Sequence, residues 1–154
     1  MEDKDADLWV NLKKTFLEYM RLKGVFVRNP SAVSFVQGAF SVPDERALAI
    51  DLVSGYPDAE RVIFFKQLVS MASYVNGFTE RCRDLILDLP RDWVMKNIEA
   101  EVDELLADGD YEEYRCLLEL CRKLDRELMV KFARRALDSP DEDVKDVGAD
   151  FLSS

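Results

Sequence analysis

Glu99, Glu101, Asp103, Glu104 and Asp108 crowd ten residues in which no base occurs, and Lys96 is the nearest one upstream. Carboxylates in pairs perform general acid–base work or hold hard cations. No spacing here singles out an acid–base pair. If the segment is helical, Glu99/Asp103 and Glu104/Asp108 become like charges at i,i+4, each costing a few tenths of a kcal/mol, by roughly the usual surface-pair magnitude. A partner rich in Lys or Arg would relieve that repulsion, so these five residues are the candidate partner-binding face. Asp108-Gly109-Asp110 followed by Glu112 and Glu113 superficially suggests a calcium loop. It lacks the alternating Asp/Asn ligands and the closing Glu of an EF-hand. A helix stop at Gly109 and a capping box from Asp110 to Glu113 explain every residue. No metal site is expected.

Lys131, Arg134 and Arg135 form a second, basic candidate patch. Favourable charge near a helix C-terminus accounts for it, and contact with an acidic partner or a phosphate is the alternative. The chain has no histidine. That removes the usual Ser-His-Asp and Cys-His catalysis and His-based zinc sites. No Gly-rich phosphate loop and no Cys-x-x-Cys occurs. Cys82, Cys116 and Cys121 are odd in number, and Cys116 and Cys121 point to different sides of one helix. Reduced, partly buried thiols are expected. The chain is therefore read as non-enzymatic and without a cofactor.

These groups must be positioned by a helical chain. Its 154 residues suffice for one domain with a real core, and 48% apolar residues argue against disorder. No uninterrupted apolar run is long enough for a membrane span. The acidic start, Met-Glu-Asp-Lys-Asp-Ala-Asp, does not look like a secretory leader, so a soluble, cytoplasmic protein is expected. Net charge is −10: residues 1–90 hold 13 acids and 11 bases, residues 91–154 hold 18 and 10. Such a field repels phosphate backbones and attracts basic partners.

Apolar residues recur at the helical period almost throughout. Trp9, Leu12, Phe16 and Met20 share the face of a first helix, with Gly24 its stop and Trp9 in the core. Asn29-Pro30-Ser31 opens a short helix through Val33, Val36 and Phe40. Pro43 opens a third, with Leu48, Leu52 and Val53 inward. Pro57 opens a fourth, apolar most of the way round from Val62 to Val75, which should be the central buried element and ends at Asn76-Gly77. Helices follow from about Thr79 to Leu89, from Pro90 to about Ala107 with Trp93 inward, from Asp110 to Leu124, and through Leu128, Phe132, Ala136 and Leu137. Pro140 then starts a last one, with Ser139 as cap, Glu142 at the capping-box position and Val144, Val147 and Phe151 inward. All five prolines lie at predicted helix starts. No strand is predicted, and the count is eight or nine helices.

From Asp138 to Leu152 the chain resembles a HEAT repeat: a turn rich in Asp and Pro, then Val144-Lys145, Ala149 and Leu152 in the places of that motif. Phe132, Ala136 and Leu137 look like the second helix of the repeat before, so the resemblance covers about residues 126–152. It implies an all-α, irregular α–α superhelix of HEAT-like helical hairpins within a single domain, residues 1–154. In such stacks the second helices line the concave side, where Lys131, Arg134 and Arg135 would face a partner. Gly148 is costly inside a helix, about 1 kcal/mol against Ala, unless it permits close packing. The expected function is a protein-interaction module for a basic protein partner, similar in size, charge and fold type to bacterial immunity proteins or to adaptors. The alternative is a HEAT-like nucleic-acid-binding or base-excision protein, which the acidic charge disfavours.

Overall fold

The computed structural model describes residues 2–154, with side chains from Asp3 onward. The fold is all-α, and no strand occurs among the described residues. The chain divides into two compact units, one ending at Tyr56 and one beginning at Pro57.

The first unit holds α1 (Glu2–Val27), α2 (Ala32–Ala39) and α3 (Arg46–Ser54). The side-chain carbonyl of Asn29 accepts from the Ser31 amide at 2.9 Å, turning the chain into α2. Pro43 begins a 3₁₀ turn (Pro43–Glu45) that leads directly into α3. The core is small: Ala32, Val36 and Phe40 meet Ala49, Ile50, Leu52 and Val53. Leu48, expected inward, is 47% exposed. Polar ties fix α1 to α3. The Tyr19 hydroxyl donates to the Asp51 carboxylate. Lys23 Nζ donates to the Asp51 carboxylate at 3.0 Å and to its carbonyl at 3.1 Å. Burial first, then Asp51, pushes the Tyr19 phenol up to about 12.

Two expectations fail in α1. The helix runs through Gly24 to Val27 instead of stopping. Trp9 is 65% exposed and not in a core. The reason is length. At about 1.5 Å per residue, 26 residues span about 39 Å, while α2 and α3, with 8 and 9, span only about 12–14 Å. The unit's own short helices cannot cover the longer one.

The second unit holds α4 (Asp58–Arg61), α5 (Phe65–Met71), α6 (Thr79–Leu87), α7 (Arg91–Leu106), α8 (Tyr111–Leu124), α9 (Arg126–Leu137) and α10 (Glu142–Leu152). With α4 a single turn, nine longer helices stand among the described residues. The single fourth helix expected from about Pro57 to Val75 is instead broken twice. A 3₁₀ turn (Val62–Phe64) separates α4 from α5, burying Phe64 and Phe65 while leaving Ile63 48% exposed. At the other end side chains replace the helix's hydrogen bonds. Asn76 Nδ2 donates to the carbonyls of Met71 and Tyr74 at 2.8 and 3.1 Å, and Thr79 Oγ1 donates to Tyr74 at 2.6 Å. Asn76 Oδ1 accepts from the Phe78 amide, and Gly77 takes φ +82. The carbonyls a helix end leaves orphaned are thus satisfied early, and α5 ends at Met71. Val75 lies outside, 71% exposed.

Helices α8, α9 and α10 are each capped by an aspartate. Asp110 accepts from the Glu113 amide at 3.0 Å, Asp125 from Leu128 at 3.0 Å and Asp141 from Asp143 at 2.9 Å. The cap of α10 is Asp141 and not Ser139, whose Oγ accepts from the Asp141 amide at 3.1 Å. A carboxylate accepts more strongly than a hydroxyl and suits the positive end of the helix dipole. The core runs through Phe64, Leu68, Ile86, Ile98, Leu117, Leu118, Leu120, Met129 and Phe132, joined by Val144, Val147 and Phe151 of α10. Trp93 sits edge-on to Phe65, ring centroids 5.0 Å apart.

Gly148 sets how closely α10 approaches α9. A methyl group on it would lie 2.6 Å from the Ala133 carbonyl oxygen and 2.8 Å from the Ala136 methyl. Neither atom belongs to a side chain that can swing aside. Gly148→Ala gains about 1 kcal/mol of helix propensity. The forced separation of α9 from α10 costs more, roughly 2–3 kcal/mol. We expect a lower urea midpoint for Gly148→Ala. An unchanged or higher midpoint would mean that the close approach contributes nothing.

Candidate interaction surfaces

The acidic and basic candidates meet. Glu99 of α7 pairs with Lys131 of α9, and Asp103 pairs with Arg135. The registers match because each partner set repeats every four residues, one helical turn. Glu104 pairs with Lys66 of α5 at 3.6 Å. The like-charge repulsion along α7 is therefore answered inside the chain at three of its members. Glu101 is half-buried, Asp108 is exposed, and Arg134 is exposed beside a shallow groove of about 420 Å³ shared with Arg126, Glu127, Val130 and Lys131.

A further polar set went unread in the sequence. Arg83 of α6 is only 6% exposed. It pairs with Glu80 and donates from Nη2 to the Cys116 carbonyl of α8 at 3.2 Å. Glu80 also accepts from Lys123 of α8 at 3.1 Å. The Lys123 hydrogen bond first, then Arg83, holds the Glu80 carboxyl below its ordinary range. Arg91 at the start of α7 donates to the last carbonyl of α8, Leu124, at 2.8 Å. The sequence signal for Arg83 was its place three residues after Glu80 on a face otherwise carrying Cys82 and Ile86.

The Asp108–Glu113 segment serves as a helix boundary, with Asp110 the cap. Burial first, then the charges of Asp110 and Glu112, raises the Glu113 carboxyl, and a hydrogen bond from the Asp110 backbone opposes the rise. Among the described residues no group of three or more His, Cys, Asp or Glu is placed to hold a metal ion. Among the described residues no helix is long and apolar enough to cross a membrane.

The longest run of exposed residues among those described lies in α1. Every described residue from Asp3 to Glu18 is exposed. Leu12 is 62% and Phe16 57% exposed, with Leu8, Trp9, Leu17 and Met20 beside them. At 100° per residue, Leu8, Trp9, Leu12, Phe16, Tyr19 and Met20 share one face. Near its C-terminal end Tyr19, Leu22, Val25 and Phe26, with Leu48 and Leu52 of α3, line an apolar groove of about 430 Å³. A contiguous apolar surface on one helix marks an interaction site far more often than a scatter of single residues does. The periodicity of these residues is evident in the sequence, but not that they lack a cover.

No protein-family model, no curated protein and no solved structure matches this chain.

Two measurements check this description. Exposed pairs contribute about 0.2–1 kcal/mol each. Lys131→Gln with Arg135→Gln should therefore lower stability by roughly 1 kcal/mol in low salt, and by less in 0.5 M NaCl. A salt-independent loss would count against the pairing. Cys82, Cys116 and Cys121 are all buried and unbridged. Burial pushes the Cys82 and Cys121 thiols up to about 12 and raises Cys116 as well. Raised values mean almost no thiolate at pH 8. An aromatic disulfide reagent should then label the native protein only slowly and titrate three thiols in denaturant, whereas a fast native phase would show an accessible thiol.

Proposed function

We propose that this chain is a non-enzymatic protein-interaction module, built from HEAT-like helical hairpins in its second unit and meeting its partner through α1. The observation that carries this reading is the apolar face of α1. Large apolar side chains left half to two-thirds exposed over more than three helical turns cost solubility, and a soluble protein keeps such a face for something that covers it. An amphipathic helix is also a common unit of recognition, read through anchors at i, i+4 and i+8. The spacing Leu8, Leu12, Phe16, Met20 is of that kind.

Support for the helical-repeat reading comes from α8, α9 and α10. One residue joins α8 to α9 and four join α9 to α10, and α9 packs against both neighbours. The inhibitor or adaptor role suits the charge of the second unit, where 23 acids stand against 14 bases. A basic protein in the cytoplasm would be drawn to that field.

The test places a photo-crosslinking amino acid at Leu12 and, as a control, at the exposed Asp146 of α10 in cells producing the full chain. The reading expects a discrete adduct at Leu12 and none at Asp146. Absence of any adduct at Leu12 would refute it.

A further inference from the structure

We draw no further inference here: the strongest candidate, the exposed apolar face of α1 from Leu8 to Met20, carries none because nothing in the structure shows what covers it.

Discussion

A helix with one apolar stripe must lay that stripe against something of equal length. This constraint governs both units. In the second, α8, α9 and α10 have 14, 12 and 11 residues and cover one another almost fully. Leu117, Leu118, Leu120, Leu124, Leu128, Phe132, Val144, Val147 and Phe151 are consequently buried. In the first, 26 residues of α1 face companions of 8 and 9. Only the C-terminal third of α1 finds cover, and Tyr19 and Lys23 fasten it there through Asp51. The remainder keeps a stripe and lacks a seat.

Charge is organised by the same division. The acids of α7 are not a free acidic face, since Glu99, Asp103 and Glu104 each hold a cation of a neighbouring helix. Such pairs add little stability in water. Their effect is to align α7 with α9 and α5 and to lower the charge that a partner senses. Arg83 works differently, because it is buried. Its Nε finds no acceptor among the described residues, so its attachment to Glu80 and to the Cys116 carbonyl must offset that loss.

Much of the fold was legible because its punctuation is local. Pro90 and Asp110 mark boundaries through their own backbone chemistry, and the structure keeps both, whereas the helix expected to end at Asn76-Gly77 ends at Met71. Ser139 misled because two good caps lie two residues apart and the carboxylate of Asp141 wins. The break at Met71 was hidden, since it depends on Asn76 and Thr79 folding back over residues between them. Trp9 misled for another reason: periodicity reports which residues share a face, and says nothing about whether a covering surface exists. The candidate patches on α7 and α9 were each visible in the sequence. Their pairing was not, because it depends on how two helices thirty residues apart come side by side.

The turn at Asn76-Gly77 also bears on how the protein ages. An asparagine followed by glycine is the dipeptide most prone to cyclise to a succinimide and lose its amide nitrogen, because glycine leaves the attacking backbone nitrogen unobstructed. Here the Asn76 amide is held at both ends, donating to Met71 and Tyr74 and accepting from Phe78. Ring closure requires those bonds to break and the side chain to rotate. Deamidation at this position therefore keeps time with opening of the turn, and the isoaspartate content of an old preparation records how often the link between α5 and α6 has come undone.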